Sequence, residues 1–212
     1  MVPVKKKYKD KQRDENNYQF WENIYQSDEA KWDLQGPTPI FRELAKELPI
    51  GDLCIIGCGR GYDVITFAEK GFNVTAVDFA PSAVSSLELL IEKKNINANI
   101  LMRDIFTLMP DYENHFDYVI EQTCFCAIHP SKRINYEKVV NGIIKSGGHL
   151  VGLWFPLDKS LIEGGPPYGT SVGEVKNIFS KQWEIVREEF SEFSIKPRYE
   201  REKLIIFKNH TS

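Results

Sequence analysis

The hydrophobic pattern alternates short apolar runs with longer amphipathic segments, and this alternation predicts an α/β fold with a mainly parallel sheet. A first strand at residues 53–56 is followed by a glycine-rich loop and a helix over residues 62–70. A second strand at residues 73–77 precedes a helix over residues 81–94. Further strands are predicted at residues 100–102, 116–120, 149–155, 183–190 and 203–207, and further helices at residues 137–144 and 172–181.

The last two predicted strands break the alternation. No helical pattern separates residues 183–190 from residues 203–207, which predicts an antiparallel pair at the edge of the sheet. The run at residues 116–120 is continuous and apolar, as expected for a strand that is covered on both faces. We therefore expect helices on both sides of the sheet.

The amino-terminal segment differs from the rest of the chain. Residues 1–17 are rich in lysine and are predicted to form a disordered basic tail. Residues 18–212 are predicted to form a single domain, because 212 residues suffice for one full-sized core and are too few for two. Within this domain, residues 18–46 contain aromatic and apolar side chains and are predicted to form a helical lid.

The overall composition narrows the range of partners. The chain has 27 basic and 30 acidic residues, so its net charge of −3 does not favour a nucleic-acid partner. It has neither an apolar stretch near the ~20 residues of a membrane span nor a signal-peptide pattern, so we expect a cytoplasmic protein without membrane contact. We expect a monomer, because no exposed apolar stripe is obvious. The four cysteines are expected to be reduced thiols, and their spacings do not match the usual zinc sites.

The candidate chemistry starts at Gly57, Gly59 and Gly61, which directly follow the first strand. Glycines there let the backbone come close to a ligand, and the next helix offers free N–H groups and the positive end of its dipole. Asp78 ends the second strand, where an acid commonly accepts hydrogen bonds from a ribose diol. Asp104 follows the third strand, where its carboxylate or the neighbouring backbone could bind an adenine amino group.

The glycine spacing separates two classes of nucleotide-binding protein. A dinucleotide site expects the third glycine at position 62, which is Tyr62 here. The spacing G-x-G-x-G is found in methyltransferases, so we favour this class over an NAD-dependent oxidoreductase. A cofactor-binding protein without transfer activity is the third interpretation. A plain tight turn would explain the glycines, but it would not explain two aspartates at matching strand ends.

Five blocks of sequence resemble the thiopurine methyltransferase superfamily, and within it the thiol and halide methyltransferases. These blocks lie at residues 20–22, 32–39, 57–63, 125–130 and 164–168. The resemblance implies a Rossmann-like, mostly parallel sheet of seven strands in the order 3-2-1-4-5-7-6, with the last strand antiparallel. It also implies S-adenosylmethionine as the methyl donor, no metal ion and a small-molecule methyl acceptor.

The same resemblance implies a set of cofactor-binding residues. In similar proteins the aromatic amino-terminal segment covers the cofactor, which implicates Trp21, Tyr25 and Trp32. Tyr25 stands where a tryptophan is often found. Asp104 and Ile105 would flank the adenine.

Two positions depart from the common patterns. Gln122 stands where the halide and thiol enzymes often have a tyrosine, which leaves the acceptor open. Ile55 stands where many methyltransferases have an acid, so the methionine ammonium group needs other partners. Carbonyl groups of the glycine loop and Gln122 are the candidates.

The acceptor side of the site is predicted from position alone. Gln122, Trp154 and Tyr168 are the candidates for the substrate pocket, with ordinary packing as the alternative for each. Arg42 and Arg133 could attract an anionic acceptor. The expected acceptors are thiols, hydrogen sulfide, thiocyanate and halides, and the alternatives are thiopurines and metalloid anions. No nucleophile–base constellation is evident, so positioning and desolvation are expected to supply most of the rate.

Overall fold

The structure of the protein is a computed structural model that describes residues 14–27 and 29–210. Seven strands form one sheet in the order β3-β2-β1-β4-β5-β7-β6. Strands β1 to β5 pair in parallel, whereas β7 is antiparallel to both β5 and β6. The predicted fold class and strand order are confirmed. The strands are β1 (Asp52–Ile56), β2 (Asn73–Asp78), β3 (Asn99–Met102), β4 (Phe116–Gln122), β5 (Ile144–Trp154), β6 (Trp183–Glu189) and β7 (Lys203–Asn209).

Helices cover both faces of the sheet. Alternate residues of β1 enter different clusters: Leu53 and Ile55 pack with α2 and α3, whereas Cys54 and Ile56 pack with α5 and α6. Both sets are buried because a parallel sheet of this kind is sandwiched between helices. None of the described helices is long and apolar enough to cross a bilayer. The helices are α1 (Tyr18–Gln26), α2 (Pro39–Glu47), α3 (Tyr62–Ala68), α4 (Pro81–Lys94), α5 (Arg133–Ile143) and α6 (Val172–Ile178).

The boundary between α5 and β5 differs from the prediction. The pattern predicted a helix to residue 144 and a strand from residue 149, but β5 begins at Ile144, directly after α5. Ile144 is fully buried and pairs with Phe116 of β4. Lys145 forms ion pairs with Asp52 and Asp117, which secures this early part of the strand. Gly147 and Gly148 were predicted to form the turn before the strand, but they lie within β5, where its pairing with β4 is irregular.

We call residues 14–27 and 29–46 the lid, since the ordered segment begins at residue 14 and not at the predicted boundary, residue 18. Residues 1–13 of the predicted tail lie outside the described residues, whereas residues 14–17 form a turn that leads into α1. The side chain of Asn17 accepts a hydrogen bond from the Gln19 N–H and caps α1. The indole of Trp21 donates a hydrogen bond to the Glu15 carbonyl oxygen at 2.9 Å. This contact ties the turn to the aromatic side chains of the lid.

Candidate functional site

The glycine loop lies at the carboxyl end of β1 and approaches two neighbouring segments. Gly57 and Gly59 have φ angles of 61° and 54°, a region that favours glycine. A Cβ atom at Gly57 would lie 3.0 Å from Cys124, which follows β4. A Cβ atom at Gly59 would lie 3.1 Å from the hydroxyl of Tyr25 in the lid. Glycine at both positions therefore lets the loop sit between the lid and the end of β4.

Gly61 has a different role from the other two glycines. Its φ angle is 81°, and a Cβ atom here would lie 2.2 Å from Cδ1 of Leu87 on α4. Gly61 lines neither of the cavities described below. The absence of a side chain at Gly61 therefore allows the start of α3 to pack closely against α4. Gly61 has this packing role and does not line a cavity.

Asp78 links the end of β2 to the glycine loop. Its Oδ2 accepts a hydrogen bond from the Gly59 N–H at 2.9 Å, and its Oδ1 accepts one from the Ala80 N–H at 3.0 Å. Burial raises the pKa of the Asp78 carboxyl, and the backbone N–H donors oppose that shift. The carboxylate therefore holds the loop in place at the position where the sequence predicted a ribose partner.

Two cavities lie along the carboxyl edge of the sheet. The first, which we call the loop cavity, has a volume of about 60 Å³ and lies between the glycine loop and the lid. The second, which we call the edge groove, has a volume of about 670 Å³ and lies beside the ends of β2 and β3. The loop cavity is lined by residues that include Tyr25, Trp32, Gly57, Gly59, Asp63 and Gln122. The edge groove is lined by residues that include Asp14, Tyr18, Phe79, Pro81, Met102 and Asp104.

Four of the predicted cofactor residues line neither cavity: Gly61 and Asp78, which are described above, and Trp21 and Ile105. Trp21 is buried in the lid, where its ring packs edge-on against Trp32. Ile105 lies in a short 3₁₀ helix and packs against the core beside α5. Asp104 caps this 3₁₀ helix by accepting a hydrogen bond from the Phe106 N–H. The structure thus brings Tyr25, Trp32, Gly57, Gly59 and Gln122 to one cavity and Asp104 to the other.

Gln122 presents a buried amide group to the loop cavity. It is the last residue of β4, and its Nε2 atom is buried without a hydrogen-bond partner among the described residues. A buried, unpaired amide costs free energy unless a ligand or water satisfies it. This orphaned polar group is therefore the strongest indication that the loop cavity holds a polar ligand.

Trp154 lies in the hydrophobic core and not in a pocket. Its side chain is 1% exposed and packs against Phe125, Phe179 and Phe207. It shares its face of β5 with Gly152, whose missing side chain leaves room for the indole ring. The structure therefore supports the packing alternative for Trp154. The sequence left both alternatives open because a tryptophan at a strand end can point into either layer.

Tyr168 lies where three segments meet. Its N–H donates a hydrogen bond to the Cys126 carbonyl oxygen at 2.7 Å, which ties the loop after β5 to the segment after β4. Its hydroxyl donates a hydrogen bond to Glu15 in the lid at 2.8 Å. The ring of His129 packs edge-on against it. Tyr168 lines neither of the two cavities. We call Tyr168 and residues 122–126 the acceptor wall, because the sequence predicted the acceptor candidates Gln122 and Tyr168 there.

The two arginines suggested by the sequence are placed differently. Arg42 is exposed on α2. Arg133 is 1% exposed and forms an ion pair with Glu174 at 2.7 Å. Its guanidinium also donates a hydrogen bond to the Gly169 carbonyl oxygen and stacks on Phe125. This charge is used to hold the loop beside Tyr168, so it is not a free attractor of anions.

Glu121 is a buried acid that the sequence did not single out. Its carboxylate accepts hydrogen bonds from the N–H groups of Cys124 and Phe125 and from the Tyr136 hydroxyl at 2.6 Å. Burial raises its pKa to about 7, although these donors and Arg133 act in the opposite direction. It therefore fixes the backbone of the acceptor wall. Its position within an apolar strand hid it from pattern analysis.

The raised pKa of Glu121 predicts a pH dependence of stability. The folded protein keeps a proton on Glu121 between about pH 4.5 and 7, where the unfolded chain has lost it. The free energy of unfolding should therefore fall as the pH rises through this window, by about 3 kcal/mol from Glu121. Urea unfolding from pH 4.5 to 8 should show a smaller fall in Glu121→Gln than in the wild type, because the raised pKa values of Asp63 and Asp78 contribute to the fall in both proteins. Parallel curves would contradict the assignment.

Asp63 is a second buried acid that the sequence did not assign. It lies in the first turn of α3 and accepts hydrogen bonds from the N–H and the hydroxyl of Thr38, both at 2.8 Å. Burial raises its pKa to about 6. Thr38 precedes α2, so Asp63 ties the lid to the helix that follows the glycine loop. Its place at a helix amino terminus, where an acid is favoured by the dipole, was a usable signal.

A metal centre is absent from the part of the chain that the structure describes. No three His, Cys, Asp or Glu side chains come together in residues 14–27 and 29–210 in a way that could hold an ion. The four cysteines are free thiols. The polar groups of the site are backbone N–H groups, carboxylates and an amide, which suit an organic ligand.

Comparison with solved structures identifies the fold. The chain is similar to the 1,6-didemethyltoxoflavin-N1-methyltransferase of Burkholderia thailandensis, a structure with bound S-adenosylhomocysteine, at a TM-score of 0.71 and 18% identity. The match covers 92% of this chain and 87% of that one. The fold, with a glycine loop at the end of β1 and acids after β2 and β3, is that of the S-adenosylmethionine-dependent methyltransferases.

Sequence comparison identifies the family. Residues 16–211 match the model of the thiopurine S-methyltransferase (TPMT) family. The chain is 33% identical over 195 residues to the probable thiol methyltransferase 2 of Arabidopsis thaliana. The aligned region covers 90% of this chain and 84% of the relative. It is 29% identical to thiocyanate methyltransferase 1 of Brassica oleracea, over 87% and 82% of the two chains. This chain belongs to the thiopurine S-methyltransferase family.

Family membership decides between the classes that the glycine spacing left open. The predicted S-adenosylmethionine-dependent methyltransferase and the resemblance to this superfamily are confirmed. The alternative of an NAD-dependent oxidoreductase is wrong, in agreement with Tyr62 at the position of the third glycine of a dinucleotide site.

Proposed function

We propose that the protein transfers the methyl group of S-adenosylmethionine to a small, soft nucleophile: a thiol, hydrogen sulfide, thiocyanate or a halide. The observation that carries this proposal is the acceptor wall, where the Tyr168 N–H bonds to Cys126. This bond joins two segments beside the orphaned amide of Gln122. The names of the thiol and thiocyanate methyltransferase relatives support the same acceptor class.

The two cavities suggest how the cofactor binds. We infer that its nucleoside end lies in the edge groove, with the adenine near Asp104 and the ribose near Asp78. Its methionine end would lie in the loop cavity, where Gln122 and the backbone of Gly57 and Gly59 could bind its polar groups. Ligand pockets commonly measure about 300 to 1,000 Å³, so a loop cavity of about 60 Å³ has to enlarge. We therefore expect the lid to move outward when the cofactor enters.

The chemistry asks little of the protein beyond placement. S-adenosylmethionine supplies an activated methyl group on a positively charged sulfur. The rate then depends on holding the acceptor in line with that group and on keeping water out. Tyr25 and Trp32 are aromatic lid residues suited to excluding water, and Glu121 and Arg133 hold the acceptor wall. Thiopurines and metalloid anions remain the alternative acceptors.

A panel of acceptors tests this proposal. Purified protein with methyl-labelled S-adenosylmethionine should yield methylated product and S-adenosylhomocysteine with small thiols or with thiocyanate and iodide. Turnover should be lower with a thiopurine and with tellurite. Production of S-adenosylhomocysteine only with a thiopurine or with tellurite would favour the alternative acceptors. A complete lack of turnover across the panel would refute the proposal.

A further inference from the structure

Tyr168 donates its hydroxyl hydrogen to an acid in the lid. The phenol oxygen lies 2.8 Å from Oε1 of Glu15, in a pair that is 153 residues apart in sequence. Burial and the adjacent carboxylate raise the pKa of Tyr168 to about 12, so the phenol keeps its proton at neutral pH. A tyrosine has one hydroxyl hydrogen, and a hydrogen donated to Glu15 is not available to a second acceptor.

The position of Glu15 is fixed by its own contacts. Its backbone carbonyl accepts a hydrogen bond from the Trp21 indole at 2.9 Å, and its side chain is partly buried. The turn continues into α1 through the capping side chain of Asn17. The backbone of Glu15 is therefore anchored by the Trp21 indole, and the hydrogen bond from the Tyr168 hydroxyl holds its carboxylate.

Positive charges near Tyr168 are engaged elsewhere. Arg133 is paired with Glu174 and donates to the carbonyl groups of Tyr168 and Gly169. Lys159 donates to the Pro167 carbonyl oxygen at 2.6 Å. Neither cation is paired with Glu15 among the described contacts. The carboxylate of Glu15 thus gives this side of the acceptor wall a negative charge.

We propose that Glu15 is a specificity-determining residue, which makes Tyr168 a hydrogen-bond acceptor and so selects neutral thiols over anionic acceptors such as thiocyanate and halides. With its hydrogen on Glu15, the phenol oxygen presents only lone pairs to the acceptor. Those lone pairs accept an S–H hydrogen but repel an anion, which needs a donor instead. This inference rests on the proposed function, with Tyr168 facing the methyl acceptor, and it narrows the substrate class of that function.

The same pair provides a route for the thiol proton. During transfer a lone pair of the thiol sulfur forms the new S–CH₃ bond. The old C–S bond breaks, and its electrons stay on the donor sulfur, which becomes a neutral thioether. The thiol proton passes to the Tyr168 oxygen while the hydroxyl hydrogen of Tyr168 moves to the Glu15 carboxylate. An anionic acceptor has no proton to lose and gains nothing from this route.

The test compares two acceptors in the same preparation. The ratio of kcat/KM for 2-mercaptoethanol to that for thiocyanate is measured, because the active fraction of the protein cancels in this ratio. Glu15→Met has a similar length and no oxygen, so the ratio should shift toward thiocyanate by about tenfold or more. Glu15→Gln keeps an acceptor oxygen without the charge and should give an intermediate ratio.

Two further variants complete the design. Glu29→Gln removes an exposed lid carboxylate and should leave the ratio unchanged. In a Tyr168→Phe background, Glu15→Met should cause no further shift, because the hydroxyl that links the acid to the acceptor is gone. A wild-type ratio in Glu15→Met would overturn this inference alone. Failure of the wild type to methylate any acceptor of the panel would overturn the proposed function and this inference together.

Discussion

Replacing Asp78 with asparagine should weaken S-adenosylmethionine binding by about 10- to 100-fold. Both carboxylate oxygens accept backbone hydrogen bonds, from Gly59 and Ala80, and an asparagine offers only one oxygen. Its NH₂ group would face an N–H donor in a buried position, which costs about 1 to 3 kcal/mol of stability in the free and the bound protein alike. Loss of the charged partner that we propose for the ribose would weaken binding by about 1.5 to 3 kcal/mol. The dissociation constant measured by calorimetry checks this prediction.

A matched substitution at the opposite edge of the sheet serves as its control. Asp52 begins β1 and pairs with Lys145 at the surface, far from the loop in the strand direction. Exposed ion pairs contribute about 1 kcal/mol or less to stability, so Asp52→Asn should leave cofactor affinity within about twofold of the wild type. Equal affinities of Asp78→Asn and Asp52→Asn would remove Asp78 from the binding site.

The substitution Gly61→Ala should lower the free energy of unfolding by about 4 kcal/mol. A non-glycine residue at a φ angle of 81° costs about 1 to 3 kcal/mol. The new Cβ atom would also lie 2.2 Å from the Leu87 side chain, and overpacking of this kind adds about 1 to 3 kcal/mol. The first term comes from the backbone conformation of Gly61, and the second comes from the contact of α3 with α4. Urea unfolding at constant pH measures the change.

Gly173 provides the comparison for Gly61. It lies in α6, and the nearest atom to an added Cβ would be Oγ of Ser171 at 3.9 Å. Alanine is favoured over glycine within a helix by about 0.5 to 1 kcal/mol, so Gly173→Ala should be neutral or slightly stabilising. If Gly61→Ala unfolded like the wild type, the packing described for the start of α3 would be incorrect.

The strands and the loop position could be predicted because they depend on local signals, whereas the strand order was implied by the family resemblance. Apolar runs mark the buried strands, and a glycine loop after the first strand marks the carboxyl edge of the sheet. Asp78 and Asp104 follow from the same rule, since the ends of neighbouring parallel strands meet at one edge. These signals involve residues that are close in sequence or that occupy equivalent positions at the ends of parallel strands.

The rest of the site depends on contacts between distant segments, which no local pattern contains. The hydrogen bond from Tyr168 to Glu15 crosses 153 residues and lies partly in a segment predicted to be a disordered tail. In the sequence, Glu121 is a single polar residue near the end of an apolar strand. Its hydrogen bond from the Tyr136 hydroxyl is visible only in the structure. Trp154 could have faced the core or a pocket, and only the packing of Phe179 against it decides.

The central claim is that the glycine loop and Asp78 hold the methyl donor, and a crystal structure of the protein with S-adenosylhomocysteine tests it most directly. We expect the ribose hydroxyls within hydrogen-bond distance of the Asp78 carboxylate and the amino-acid end beside Gly57, Gly59 and Gln122. A ligand bound away from this loop, or an Asp78 side chain that makes no contact with it, would contradict the account.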